Sequence, residues 1–284
     1  MQQKKLIILL ADISGYTQFM LDSATSAVHG QMAINALIES IIAQVDIPLV
    51  LQEIEGDAVF LYAPDPGTEE GWQRAVWDVS RKLDTFFTAF MAQLAITAES
   101  TPCACAVCGN FEKLGLKIIV HAGEAMFHSV AGRAQVSGPD VILAHRLLKN
   151  SLPSHEYLLL SDQAYVLMKS HITDNFERHV EKYEGFGEVS LHVRFLHEDF
   201  LKARDAVYHL DEAEHQAAVD GYLHWAAQSR AQALHQQEDN LARKFSWWER
   251  LPLMMESLIV PLALPFYRRL ITRQQRTRGS RRER

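Results

Sequence analysis

Leu6-Ile7-Ile8-Leu9-Leu10-Ala11-Asp12-Ile13-Ser14-Gly15-Tyr16-Thr17 carries the strongest structural signal near the start of the chain. An unbroken apolar run ends on a carboxylate and a glycine-containing turn, the pattern of a buried strand that empties into a loop. A second stretch repeats the theme: Glu53-Ile54-Glu55-Gly56-Asp57-Ala58-Val59-Phe60-Leu61-Tyr62. A carboxylate at the mouth of an apolar strand is costly unless it is paired, hydrated or bound to metal. If the two strands are neighbours, Asp12 and Asp57 form a hard oxygen site for Mg²⁺ or Mn²⁺ beside a phosphate. Taken singly, each aspartate reads equally well as an ordinary turn residue.

The elements around this pair alternate. Residues 5–12 predict a buried strand and 24–45 a helix, with Val28, Met32, Leu37, Ile41 and Ile42 at helical spacing. Pro48–Ile54 and Ala58–Tyr62 read as a hairpin closed by Glu55-Gly56-Asp57. Beyond the Pro64–Gly67 loop, Glu69–Ile96 predicts a long amphipathic helix with Trp72, Val76, Val79, Leu83, Phe86, Phe87, Phe90 and Leu94 on its inner face. Leu116–Ala122 and Ala125–Val130 read as two strands separated by Gly123-Glu124. Val141–Leu148 then reads as a helix and Tyr157–Leu160 as a strand. Ser161-Asp162-Gln163 caps a further helix. Val180–Tyr183 and Val189–Leu196 close the alternation as an antiparallel pair.

At 48% hydrophobic and 22% charged, the 284 residues have a globular composition. The apolar run at residues 5–11 is too short for a signal peptide, so a cytoplasmic location is expected. The net charge of −7 conceals an asymmetry. Residues 268–284 hold eight arginines and one glutamate, which leaves the preceding body at −14. An acidic body argues against nucleic-acid binding, and the basic tail is a separate device.

These motifs, in this order, resemble class III adenylate and guanylate cyclase catalytic domains. Asp12–Thr17 resembles their first metal-binding loop and Gly56-Asp57-Ala58 their second metal-aspartate hairpin. Leu116–Glu124 resembles the central strand, Val136–Leu147 the segment leading into the catalytic helix, and Glu184–Val189 the closing hairpin. The likeness spans roughly residues 4–197. It implies an α/β (α+β) fold, a ferredoxin-like cyclase homology domain. Such a domain has a mixed, mostly antiparallel sheet flanked by helices, here followed by a C-terminal helical extension. It also implies Asp12 and Asp57 as ligands of Mg²⁺ or Mn²⁺ and Ile13, Ser14, Gly15 and Tyr16 as a phosphate loop. Arg146 is implied as the catalytic arginine that neutralises phosphate charge. A nucleoside triphosphate or other phosphate ligand and a homodimer are implied partners.

Three departures oppose turnover. The base-contacting lysine of the family is Glu53 here, the base-selecting position falls at Arg133, and the ribose-orienting asparagine is Ile142. Isoleucine neither donates nor accepts a hydrogen bond. Each lost donor costs about 10²–10³ in rate. The expected function is therefore a catalytically degenerate cyclase-like module that binds a metal–phosphate ligand in a regulatory or interaction role. An active nucleotidyl cyclase with altered base contacts and a ligand-free structural partner are the rival readings.

Two features lie outside that likeness. Cys103-Ala104-Cys105-Ala106-Val107-Cys108, in a loop at 102–110, has C-x-C-x₂-C spacing. Three thiolates with His121, His128 or His155 as a fourth ligand would suit Zn²⁺; free thiols are the alternative. Together with the degenerate motifs, the cluster resembles an uncharacterised bacterial branch of the superfamily. The domain is expected to occupy 1–200, a polar helical extension 201–245, and an apolar segment with an arginine-rich tail 246–284. Leu251–Tyr267 is 17 residues long with Glu256 and three prolines, at the short limit for a span. Trp247, Trp248 and the arginines fit an anchor on anionic lipid at the inner face of the membrane. Packing against protein is the alternative.

Overall fold

The computed structural model describes residues 2–22, 27–100, 110–172 and 175–198, with six further helical positions between 213 and 224. The cysteine cluster, nearly all of the 201–245 extension and the whole of 246–284 lie outside the described residues. Among the described residues no helix is long and apolar enough to cross a membrane.

Strand β1 (Gln2–Ser14) is the axis of the fold. Its segment from Leu6 to Ala11 is at most 1% exposed, because both faces of the strand are covered. A strand buried on both faces is continuously apolar rather than alternating, which is why this run is so legible. On one side β1 pairs antiparallel with β3 (Ala58–Pro64), the second arm of a hairpin begun by β2 (Val50–Glu55). On the other side it pairs antiparallel with β4 (Gly115–Val130) along its whole length. Strand β6 (Tyr157–Ser161) runs parallel to β4, and β8 (Gly187–Phe195) and β7 (Glu177–Tyr183) complete the order β2-β3-β1-β4-β6-β8-β7. The sheet is mixed, antiparallel everywhere except at β4–β6, and flanked by helices.

The helices divide between the two faces. Helices α1 (Tyr16–Asp22), α2 (Ala27–Ile42), α3 (Glu69–Ser100) and α5 (Asp162–Met168) cover the face bearing Ile7, Leu9 and Ile118. All eight inner-face residues expected on α3, from Trp72 to Leu94, are buried there. Fully burying one such Phe or Leu contributes about 1.5–3 kcal/mol. The other face carries Leu6, Ile8, Leu10 and Ile119 and packs against α4 (Pro139–Leu147) through Val141, Leu143, Ala144 and Leu147.

Three local readings are corrected. Gly123-Glu124 does not divide two strands: β4 runs unbroken from Gly115 to Val130 and stays paired with β1 across that point. The glycine instead makes room, since a Cβ at Gly123 would fall on the Asp140 carboxylate. Strand β5 (Arg133–Ser137) was not anticipated; it folds back on β4 through a turn at Ala131-Gly132, both at positive φ. This β4–β5 arm curls over the α4 face, where Gln52 Nε2 donates to the Ala134 carbonyl at 3.1 Å and Tyr62 meets Phe127 edge-on. Finally, β2 begins at Val50 rather than Pro48, because Leu49 N–H is used in a turn to the Asp46 carbonyl.

Asp140 explains why β4 is locked to α4. Its Oδ2 accepts the Glu124 N–H at 2.7 Å, and its Oδ1 meets His121 Nε2 at 3.3 Å. His121 Nδ1 lies 2.8 Å from Ser161 Oγ, which also accepts the Ala164 N–H as the cap of α5. A neutral histidine protonated at Nε2 satisfies every atom in this chain, and burial favours that neutral form by lowering the His121 pKa. Gly123→Ala should push Asp140 out of this network and cost about 1–3 kcal/mol of stability, measured by urea unfolding at neutral pH. An unchanged midpoint would show that the close approach is unimportant.

Candidate functional site

The register of β1 assembles the candidate site. Asp12 is directly opposite Ala58 on β3 and Lys117 on β4. Directly opposed residues in a sheet project to the same face, so Asp12 and Lys117 share the α4 face at the end of the strands. Asp57 immediately precedes Ala58 in the β2–β3 turn, where Gly56 takes a φ of +66°. The two aspartates read as strand-mouth carboxylates in the sequence therefore lie at one corner of the sheet, Asp57 one residue from the position opposite Asp12.

Burial and, second, the Asp12 charge raise the Asp57 pKa to about 6, against smaller opposing effects of its own backbone N–H and of Lys117. The Lys117 ammonium lies 3.3 Å from Asp12 Oδ2, with both side chains 20% exposed. The contact is longer than a tight charge-assisted bond of about 2.7–2.9 Å. Lys117 was missed in the sequence. The one available signal was a cation interrupting the apolar run Leu116-Lys117-Ile118-Ile119-Val120.

The other site residues fall as follows. Ile13 and Ser14 are each 1% exposed; Ile13 belongs to the core, and the Ser14 hydroxyl donates to the His155 carbonyl at 2.6 Å. Gly15 has φ +81°, and a Cβ there would approach the Lys113 carbonyl oxygen to 2.5 Å. Its glycine is thus demanded by packing within the protein itself. Tyr16 opens α1 and packs against the core. The Ile13 and Ser14 side chains are committed and Gly15 has none, so any phosphate contact from these three falls to the backbone. Arg146 is exposed on α4, and among the described residues its guanidinium has no ion-pair partner. Ile142 is 53% exposed on the same helix, and Glu53 and Arg133 are exposed on β2 and β5. His121, expected as a fourth ligand of the cysteines, has both ring nitrogens engaged with Ser161 and Asp140.

The donor set has a definite chemistry. Among the described residues no group of three or more His, Cys, Asp or Glu side chains is gathered to hold a metal. Two carboxylates alone are too few for an all-protein cage, but Mg²⁺ is commonly held by one or two carboxylates plus phosphate oxygens and water. Asp12 and Asp57 fit an ion that arrives with a phosphate ligand.

Fold and site together define an α+β domain with an acidic pair at the strand mouths. The chain belongs to the family of Uncharacterized protein Rv2561/Rv2562 of Mycobacterium tuberculosis (strain ATCC 25618 / H37Rv), to which it is 31% identical over 156 residues, 55% of this chain and 70% of that one. Residues 34–157 match the family model described as Protein of unknown function (DUF2652). That segment contains Asp57, Lys117 and Arg146 and begins after Asp12. Among solved structures, the chain is similar to the guanylate cyclase domain of RhGC from Catenaria anguillulae in complex with GTP, at 16% identity and a TM-score of 0.48, covering 68% of this chain and 97% of that one. It is also similar to the adenylyl cyclase CyaB from P. aeruginosa, at 18% identity and a TM-score of 0.42, covering 68% and 94%.

The Asp57 shift has a consequence for stability. A carboxyl whose folded pKa lies above its unfolded value of 3.8 contributes stability in its protonated form. That contribution is complete below about pH 4 and is lost as pH rises through about 6. Asp57→Asn should therefore stabilise the protein at pH 8 by about 1 kcal/mol, after discounting a half-buried group for solvent screening. At pH 4 it should change little. Thermal unfolding of both proteins across that range checks the sign, and equal Tm differences at both pH values would refute it.

Proposed function

We propose that this protein is a catalytically degenerate, cyclase-like domain that binds a phosphate-bearing ligand through a divalent cation at Asp12 and Asp57, in a regulatory or interaction role. One observation carries the reading. In the β1–β3 register Asp57 adjoins the position opposite Asp12 and is half-buried, and burial together with the Asp12 charge raises its pKa to about 6. A residue that merely finishes a turn gains nothing from that position, whereas a cation with a phosphate would be held by the concentrated negative charge. Destabilised groups of this kind gather at functional sites.

The base and ribose end supports loss of turnover. Ile142 presents a hydrocarbon surface where the resemblance calls for a hydrogen-bonding amide, and Glu53 brings negative charge where it calls for a lysine. In the proposed role, Mg²⁺ or Mn²⁺ would supply charge neutralisation to the phosphates. Asp12 and Asp57 would hold the ion, the backbone at residues 14–16 would meet phosphate oxygens, and Arg146 would offer a planar cation from α4. A second copy of the chain would complete the site if the domain dimerises as the resemblance implies.

Calorimetry with Mn²⁺ and each nucleoside triphosphate tests this, paired with an assay for cyclic nucleotide. We expect Mn²⁺-dependent heat that falls at least about tenfold in affinity in Asp57→Ala, with no cyclic nucleotide formed. Cyclic nucleotide made by wild type and lost in Asp57→Ala would establish a working cyclase instead. No heat at millimolar ligand would reduce the domain to a structural partner.

A further inference from the structure

The acidic pair already has a cation of its own. Lys117 extends from β4 at the register position facing Asp12, and its ammonium lies 3.3 Å from Asp12 Oδ2. Its charge also reaches Asp57, so the two carboxylates share one lysine. On its far side Lys117 faces Tyr157, whose hydroxyl is taken by Asn150 Nδ2 at 2.7 Å. Tyr157 therefore offers the ammonium no competing carboxylate, and Asp12 and Asp57 are its electrostatic partners in this row.

We infer that Lys117 is a tethered counter-ion that competes with divalent metal for the Asp12–Asp57 pair and so sets how much metal the site will take. The inference rests on the reading of this pair as the ion site. A metal on Asp12 would sit at about 2.0–2.1 Å from a carboxylate oxygen, which brings a doubly positive ion against the ammonium. The two cations repel, and one must give way. Lys117 is equipped to do so: its bond to Asp12 is loose, it is 20% exposed, and its four-carbon stem is flexible. The trio carries one net negative charge with Lys117 in place and two without it. Removing the lysine charge therefore strengthens the attraction for a divalent ion.

Electron paramagnetic resonance of free Mn²⁺ measures this without any turnover. Full-length wild type, Lys117→Met, Lys117→Arg, and Lys117→Met combined with Asp57→Asn are titrated with Mn²⁺ alone. Lys117→Met should bind at one site about tenfold more tightly than wild type. Lys117→Arg, which keeps the charge, should match wild type, and the added Asp57→Asn should abolish the gain. Lys117→Met binding no tighter than wild type would overturn the inference. So would a gain that survives Asp57→Asn, or an equal gain in Lys117→Arg. A wild type that takes no phosphate ligand while Lys117→Met gains Mn²⁺ affinity through Asp57 would sink the proposed function and support the counter-ion. Phosphate-ligand binding through Asp57 with no gain in Lys117→Met would do the reverse.

Discussion

The pairing of β1 between β3 and β4 is the constraint on which the rest depends. Because side chains alternate along a strand, a slip of one residue would send Asp12 to the α3 face, among Ile7, Leu9 and Phe86. Leu6 to Ala11 is apolar on both faces and would tolerate either arrangement, so the slip is opposed at the end of the run, where it would bury the Asp12 carboxylate among apolar side chains. The charge that closes the run thus fixes its register, and with it the position of one carboxylate. The same register delivers Ala58, and with it Asp57, from one neighbour and Lys117 from the other. The site is a by-product of core packing, held to the accuracy of the sheet.

The His121–Asp140–Ser161 chain reinforces this arrangement on the same face of the sheet, four residues further along β4. It joins β4, β6 and the starts of α4 and α5 through the buried His121 and Ser161 and the partly exposed Asp140. Helix α4, the element that carries Ile142 and Arg146, is thereby tied to the strand that carries Lys117. Gly123 is small because Asp140 must lie against it. A histidine that reads in the sequence as a candidate metal ligand is in the fold a hinge pin between sheet and helices.

What the sequence disclosed and what it concealed divide on a physical line. The buried strand at Leu6–Ala11, the Gly56 hairpin and the inner face of α3 were legible, because each is written in local periodicity or turn chemistry. Asp12 and Asp57 were legible as candidates for the same reason. Lys117 was not, since its meaning lies in strand pairing over 105 residues of separation. Strand β5 was concealed by its polar residues, the exposed Arg133 and the half-buried Gln135, whose pairing comes from folding back on β4. Gly123 misled because glycine at a turn and glycine under a close neighbour look identical in sequence. Ser14 and Gly15 also lie against the carbonyls of His155 and Lys113, which no local pattern announces.

Carbon-13 NMR of the Asp57 carboxyl through a pH titration measures directly whether Asp12 and Asp57 share one electrostatic environment at the mouth of the sheet. The midpoint is expected near 6 in the wild type, moving down toward the ordinary carboxylate range in Asp12→Asn. An ordinary midpoint in the wild type, indifferent to the charge at Asp12, would contradict it.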